Sequence, residues 1–515
     1  PNIDFNIIAG NSLVGLLDER LLTHPLINLL EDTHVQRVLD NLSQFYGNKI
    51  DQVQGLLGKM KLKDTIKAYE TLLGVYSLES GERAVEVRDL LEKIRDKLYE
   101  VITNSYLDFL HENGNLTKRE FDEISKNLTS RTPFHWKIDF EKVFAEGGFD
   151  VVVGNPPYVE DRNYRETDLK IIKSTKKIIG KGKKVGEPLF YGSNNCGNTH
   201  AYFIERSINL LKRNGRFGFI VPIALVSTDR MGSIRAFIHN NSCAVKYFNF
   251  DDRPGKIFSG LEHCRATIVV TEKDTNVKKV TASKYHRWFS RNRGKLFRNL
   301  ETCDWLVESP EEIIPKIGAK IEKRIIKKLK QKAKGKTLKS FEKADGVKIW
   351  YHNAPQYWIH AHTEDYLPKV EYYDSYREDD KTGEQIPFGL KETKISSHYK
   401  PLAFKSGSSF VINGLLNSSL FYWWFVVWSD GRDLLAQHIK CFPIDLDSFS
   451  EDLKKRLRPM VDRLMERYDE NSNDIINQRS GGYLIKYKEI IPSKSKSIID
   501  QIDGVFADHF GFNDR

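Results

Sequence analysis

Residues 149–158 read Phe149-Asp150-Val151-Val152-Val153-Gly154-Asn155-Pro156-Pro157-Tyr158. Phe149 to Val153 is a short, β-branched apolar run, the signature of a buried parallel strand. Gly154 breaks the run, and Asn155-Pro156-Pro157-Tyr158 follows as a stiff turn at the strand's carboxyl end. In open α/β sheets that edge is where ligands bind. Asn-Pro also marks plain turns, which is the bland alternative. At average residue usage the tetrapeptide arises by chance in well under about one chain in a hundred of this length.

Toward the amino terminus, Thr132-Pro133-Phe134-His135-Trp136 leads through Phe140 and Val143-Phe144 into the strand. His135 beside Trp136 reads as packing rather than catalysis. Residues 17–128 are mostly helical. Val35, Val38, Leu42 and Phe45 form one apolar stripe, and Val87, Leu90 or Leu91, Ile94, Leu98 and Val101 form another. Asn113-Gly114-Asn115 marks a break. An antiparallel helical hairpin with solvated charged sides is expected; an arm touching protein or DNA is the alternative. Residues 3–15 read as a strand followed by the loop Gly10-Asn11-Ser12-Leu13, either a ligand edge or a plain turn. The chain opens at Pro1 inside that strand, which suggests a part carried elsewhere.

Beyond the turn, Lys170, Lys173, Lys176, Lys177, Lys181, Lys183 and Lys184 follow one another with no acid among them. Their spacing matches no phosphate-binding fingerprint. A basic loop near nucleic acid and a merely solvated loop both fit. Residues 199–212 form a helix ended by Asn214-Gly215. Phe217 to Pro222, Val245 to Phe250 (ending in Asp251-Asp252) and Arg265 to Thr271 are strands, the last closing the series. Strands alternate with helices throughout 1–275, which predicts a doubly wound α/β sheet, with 17–128 as a helical insertion.

Composition shifts near residue 275, and 276–515 reads as a separate α+β domain with carboxyl-terminal helices. From Lys316 to Lys339 there are eleven basic residues and one acid, Glu322. Lys327 and Lys328 lie in this run. Aromatics then interleave with polar residues (Trp350-Tyr351-His352, Tyr357-Trp358, Tyr372-Tyr373, Phe421 to Trp428). Mixed basic and aromatic surface suits nucleic acid, although many of these rings must be core. The net charge of +10 favours a polyanionic partner only if the bias is local, because 70 acids accompany 80 bases. Five scattered cysteines show no zinc-ligand spacing and no disulfide framework, as in a reducing compartment. Leu415 to Trp428 is too short, and too interrupted by Asn417, Ser418 and Ser419, to span a bilayer.

The turn suggests a chemistry. An exocyclic amine on a purine is a poor nucleophile because its lone pair is delocalised into the ring. A site that activates it needs two acceptors aimed at its N–H groups and a flat surface for the base. Asn155 supplies a side-chain carbonyl, and the Pro156 backbone carbonyl a second. Successive prolines fix φ near −65°, and Tyr158 offers a stacking face.

Asp150 followed by Gly154-Asn155-Pro156-Pro157-Tyr158 resembles the catalytic motif of amino-group DNA methyltransferases, specifically the adenine-N6 enzymes. The resemblance implies roles for Asn155, Pro156, Pro157 and Tyr158 in presenting a flipped adenine. Gly10-Asn11-Ser12-Leu13 resembles the loop after the third strand, which makes Asn11 the contact to the adenine ring of S-adenosylmethionine. Thr199-His200-Ala201-Tyr202-Phe203 and Gly215 to Pro222 resemble the next helix and fifth strand. Ile257-Phe258-Ser259-Gly260 resembles the late motif whose aromatic sandwiches the flipped base, so Phe258 should face Tyr158. The helical insert, the Thr-Pro-Phe-His-Trp lead-in and the carboxyl half, with Asn353 to Trp358, Ser429 to Arg432 and Cys441 to Ile444, are similar to type IIG restriction–modification enzymes.

Two family features are absent: the glycine-rich loop for the cofactor's methionine moiety and the acid ending the second strand. No acid-acid-lysine nuclease motif is present either. The resemblance therefore implies strands three to seven of the sheet, the catalytic turn and a DNA target-recognition domain. The missing parts would sit on an upstream segment or subunit. Expected partners are S-adenosylmethionine and double-stranded DNA touched by Lys173, Lys176, Lys177, Lys327 and Lys328, with no metal and no membrane, in a prokaryotic cytoplasm. A catalytically silent recognition module serving a nuclease is the alternative, and RNA or protein-glutamine methylation uses the same motif.

Overall fold

The computed structural model describes Leu13 and residues 28–113, 117–130, 134–163, 196–258, 264–275, 279–298, 300–355, 358–378, 385–478 and 484–512. Apart from Leu13, the strand and loop expected at 3–15, with Asn11, and the stretch holding Lys173, Lys176 and Lys177 lie outside the described residues. The chain forms two compact units. One comprises Pro1–Tyr247, Ala266–Val280 and Leu306–Glu312; the other comprises Phe248–Arg265, Thr281–Trp305 and Ile313–Arg515.

The main strands are β1 (Phe149–Gly154), β2 (Leu211–Pro222), β3 (Ser242–Phe250), β4 (Ala266–Lys273), β5 (Lys279–His286) and β6 (Thr302–Leu306). They form a six-stranded sheet in the order β1-β2-β4-β3-β5-β6. β1 runs parallel to β2, with Gly154 opposite Phe219. β4 runs antiparallel to β2, with Phe217 opposite Thr271. The sheet is therefore mixed. The sheet departs from the doubly wound expectation at β4, whose direction is reversed against β2. The series of strands also continues past Thr271, because β5 and β6 join the same sheet.

β1 is parallel, as its composition predicts, but it is not buried. Among the described residues it is the end strand of the six, and Val151 and Val153 are 55% and 75% exposed. Alternate residues share a face, so the two valines lie on the same side of the strand. Phe149, at the strand's start, is instead held among the rings of Trp136, Phe140 and Phe144 at 5.3–5.9 Å. Gly154 is required where β1 meets β2, since a Cβ there would lie 2.9 Å from the Phe219 ring. The helix Thr199–Leu210 runs directly into β2 at Leu211, so Asn214 and Gly215 belong to the strand instead of ending the helix.

The insert exceeds the expected hairpin. Helices span Thr33–Tyr46, Asn48–Leu57, Leu62–Tyr76, Gly81–Asn113 and Lys118–Ser130. The Asp32 side chain accepts from the His34 and Val35 N–H groups and starts the first. Gly47, at φ 39°, ends it. Val35, Val38 and Leu42 are buried, as are Val87, Leu90, Leu91, Ile94, Leu98 and Val101. Phe45 departs from its stripe; it is 59% exposed, with the Arg83 guanidinium 4.4 Å over its ring. His135 is buried edge-on against Tyr99 at 4.6 Å, and burial pushes its imidazole down to about 3. It is a packing residue.

In the second unit, β7 (Glu342–His352), β8 (Ala361–His362), β9 (Lys369–Glu378), β10 (Gln385–Ile395), β11 (Tyr399–Phe404), β12 (Asn473–Gln478) and β13 (Leu484–Glu489) form two sheets, ordered β10-β9-β13-β12 and β11-β7-β8. The helices Ser409–Asn417, Ser419–Trp428, Glu451–Glu470 and Lys496–Phe510 supply much of its core. Among the described residues no single helix is long and apolar enough to cross a membrane. Ser406–Asn417 and Ser419–Trp428 pass only as a pair bent by 69°, and Phe421, Trp424, Phe425 and Val427 are buried.

Three packed histidines, His362 buried and His352 and His360 half-buried, should make this unit acid-sensitive. His352 stacks on His360 at 4.9 Å, and His360 Nδ1 lies 2.9 Å from His362 Nε2. Burial lowers all three, His352 to about 4 and His362 to about 3. A histidine depressed in the folded state adds stability above its unfolded pKa of about 6.5 and loses it as pH falls toward the folded value. Each should cost about 1.4 kcal/mol per pH unit below that point. Urea unfolding at pH 7.5 and pH 5 should show a clearly lower midpoint at pH 5; equal midpoints would contradict the neutral cluster.

Candidate active site

The turn sits at the carboxyl end of β1. Asn155 is exposed, Pro156 buried, Pro157 exposed and Tyr158 half-buried. The Tyr158 hydroxyl lies 2.7 Å from Asn155 Oδ1 and 2.8 Å from the Ile220 carbonyl on β2. Its single proton serves one acceptor at a time. The hydroxyl thus ties the turn to the neighbouring strand and holds the Asn155 carbonyl oxygen toward it. An amide oxygen has two lone pairs, so Oδ1 can still accept from an incoming N–H.

The other side of the turn is gripped by the start of the helix Thr199–Leu210. Thr199 Oγ1 donates to the Pro157 carbonyl at 2.7 Å and accepts from the Val159 N–H at 3.3 Å. The Thr199 N–H donates to the Val159 carbonyl at 2.9 Å. Asn198 Oδ1 caps the helix through the His200 N–H, and Tyr202 donates to Asp161 Oδ2 at 2.9 Å. Thr199 is fully buried, so its hydroxyl works inside the protein. The sequence placed a helix here but assigned Thr199 no role. Asn-Thr before a helix is visible capping chemistry; its reach back to residues 157–159 is not.

The remaining candidates lie in the second unit. Phe258 is half-buried in the bend after Asp251 and Asp252. That bend starts from an ionic network no motif announced. Asp251 accepts from Arg287 Nε at 2.8 Å and lies 3.4 Å from Arg265 Nε. Arg265 donates to the Tyr285 hydroxyl at 2.7 Å, and Arg287 to that of Tyr422 at 2.7 Å. Burial raises the Asp251 carboxyl, but hydrogen bonds from Tyr285 and Arg287 outweigh it and hold it low.

The basic run 316–339 divides by use. Helix Lys320–Ala333 exposes Lys327, whereas Lys328 is half-buried and donates to the Gly511 carbonyl. The lone acid, Glu322, caps the helix through the Gly318 and Ala319 N–H groups and accepts from Trp423 Nε1 at 3.0 Å. Lys316 is buried. Its Nζ lies 2.9 Å from the Val427 carbonyl at the end of Ser419–Trp428, and burial pushes its ammonium down to about 7.

Among the described residues no group of three or more His, Cys, Asp or Glu could hold a metal ion. The described residues also do not fit S-adenosylmethionine by themselves. No glycine-rich loop follows a described strand, and the described link toward the Asn11 loop is a hydrogen bond from Arg206 Nη2 to the Leu13 carbonyl, at 3.1 Å.

The strand β1 thus delivers Gly-Asn-Pro-Pro-Tyr to the carboxyl edge of a mixed α/β sheet, and comparison with known proteins points to methyltransferases of restriction–modification systems. Residues 44–258 match the Eco57I restriction-modification methylase family. It is 32% identical over 289 residues to a putative type II restriction enzyme and methyltransferase of Methanocaldococcus jannaschii, covering 53% of this chain and 22% of that protein. It is 24% identical over 167 residues to the Eco57I type II restriction enzyme and methyltransferase of Escherichia coli, covering 31% and 15%. It is 31% identical over 158 residues to the HincII type II methyltransferase of Haemophilus influenzae, covering 30% and 28%. The chain thus spans less than a third of the length of each of these relatives.

Proposed function

We propose that the chain is the methyltransferase and target-recognition portion of a type IIG restriction–modification enzyme, acting on the N6 amine of adenine in double-stranded DNA in a prokaryotic cytoplasm. The observation that carries this reading is an exposed Asn155 at the carboxyl end of β1, with Oδ1 oriented by the Tyr158 hydroxyl. Asn155 Oδ1 and the Pro156 carbonyl accept from the two N–H groups of the amine and localise its lone pair. Tyr158 and Phe258 stack on the adenine once it has left the duplex, at a cost of roughly a few kcal/mol. The methyl donor in this reading is S-adenosylmethionine, with Asn11 contacting its adenine ring and an upstream segment or subunit completing its cradle. Lys327 contacts phosphate, as do Lys173, Lys176 and Lys177. Lys328, expected in the same role, has its amine on Gly511 and adds only its charge.

The test is label transfer from methyl-tritiated S-adenosylmethionine to duplex DNA, with and without the upstream segment. DNA binding without transfer by the complete protein would favour the silent recognition module instead.

Thr199 is a positioning residue for this turn. Thr199→Val keeps the shape but leaves the Pro157 carbonyl and Val159 N–H without their buried partner. The change should lower kcat about 5- to 10-fold, the scale of one hydrogen bond of about 1–1.5 kcal/mol, with little change in KM for DNA. Thr199→Ser should restore most of the turnover. Equal impairment in both variants would point to packing rather than the hydroxyl.

A further inference from the structure

Residues 287–298 of the second unit read Arg-Trp-Phe-Ser-Arg-Asn-Arg-Gly-Lys-Leu-Phe-Arg and contain no acid. They follow β5 and fold into the short turn Ser290–Lys295. Trp288 and Leu296 point into the protein and are buried. Phe289 and Phe297 do the opposite, at 54% and 61% exposure.

Around them Arg291, Lys295 and Arg298 are exposed, and among the described residues none is paired with a carboxylate. The Arg291 guanidinium lies over the Phe289 ring at 5.1 Å. Arg287, by contrast, is committed to Asp251 and Tyr422. Arg293 reaches back and donates to the carbonyls of Lys256, at 3.1 Å, and Ile257, at 2.7 Å. The same turn that displays the two rings therefore holds the backbone immediately before Phe258.

We infer that Phe289, Phe297, Arg291, Lys295 and Arg298 form a DNA-strand surface that touches backbone phosphates and stacks on an unstacked base. This inference rests on the DNA-methyltransferase reading and assigns a surface that neither the family match nor the base-closing motif specifies. The charge is of one sign and unpaired, as phosphate binding requires. The exposed rings supply sequence-independent stacking faces. Arg293 couples the surface to Phe258, so a strand seated here acts on the segment that closes over the base.

The test uses the full chain, a fluorescein-labelled duplex and anisotropy over a range of salt. The triple variant Arg291→Gln, Lys295→Gln, Arg298→Gln should reduce the slope of log K against log salt by about 2–3, near 0.9 for each phosphate that the variant no longer neutralises. Phe289→Ala should leave that slope unchanged but weaken binding to DNA with an unpaired target base about 5-fold or more. A parent chain that binds DNA, with an unchanged slope in the triple variant, overturns this surface alone. So does weakened binding of the triple variant to anionic lipid vesicles with DNA binding unaltered, which would assign the patch to a membrane. A parent chain without affinity for DNA overturns both this surface and the DNA-methyltransferase reading.

Discussion

Asn155→Ala should abolish most methyl transfer, lowering kcat by about 100- to 1000-fold, while DNA affinity stays within about 2-fold. The magnitude is that of removing one preorganised polar group aimed at the reacting centre. The lone pair of the amine becomes available only when both of its N–H groups are held by acceptors. Asn155 Oδ1 is one of the two, and the Tyr158 hydroxyl at 2.7 Å keeps it in place. Alanine removes that acceptor and leaves the Pro156 carbonyl alone. Because Asn155 is exposed at the end of β1, its truncation creates no cavity and the fold should be intact. Asn155→Asp retains an acceptor oxygen for both the amine and Tyr158, so it should fall between the parent and alanine. Single-turnover methylation with saturating DNA separates these outcomes. A parallel collapse of DNA binding would instead make the turn a structural element.

Arg235→Met should be a strongly destabilising change, at about 2–4 kcal/mol, because it removes a buried guanidinium that serves three backbone carbonyls. Arg235 is 1% exposed, and its guanidinium serves three backbone carbonyls. Nε and Nη2 donate to Glu311 at 3.1 and 2.7 Å, while Nη1 donates to Leu225 at 2.9 Å and Thr228 at 2.7 Å. Methionine fills much of the volume but takes these donors from the Leu225 and Glu311 carbonyls, at about 1–3 kcal/mol apiece, while the Thr228 carbonyl keeps the Met231 N–H. Lysine cannot reproduce the fork and should recover only part of the stability. Equilibrium urea unfolding of the full chain measures the difference; a change below about 1 kcal/mol, less than one unsatisfied acceptor, would mean that water replaces the guanidinium.

What was legible in the sequence was what local pattern encodes. Gly154-Asn155-Pro156-Pro157-Tyr158 announces its turn because two prolines restrict the backbone wherever they occur. Val87 through Val101 reveals its buried face because 3.6-residue periodicity is a property of the segment alone. The strand Phe217 to Pro222 is likewise apolar by itself. What depended on distant residues was not legible. The composition of β1 suits a buried strand, yet Val151 and Val153 are exposed, and among the described residues β1 ends the sheet. β5 and β6 lie beyond a shift in composition that resembles a boundary, and only pairing places them in the sheet. Thr199 grips Pro157 across 42 positions, and Arg235 reaches Glu311 across 76. Lys316 belongs to a run that reads as uniformly basic surface, but burial removes it, and Lys328 of the same run is half-buried with its ammonium on the Gly511 carbonyl. Asp251, Arg265 and Arg287 carry no signal one by one and form a network only after β3 and β5 are in place.

Whether this turn presents an adenine amine for methylation is settled most directly by the product. The complete protein should be incubated with unmethylated duplex DNA and S-adenosylmethionine, the DNA digested to nucleosides, and the products identified by mass spectrometry. N6-methyladenine from the parent protein, reduced at least about 100-fold with Asn155→Ala, is the predicted result. DNA bound but unmethylated, or methyl groups found on cytosine N4 instead, would contradict it.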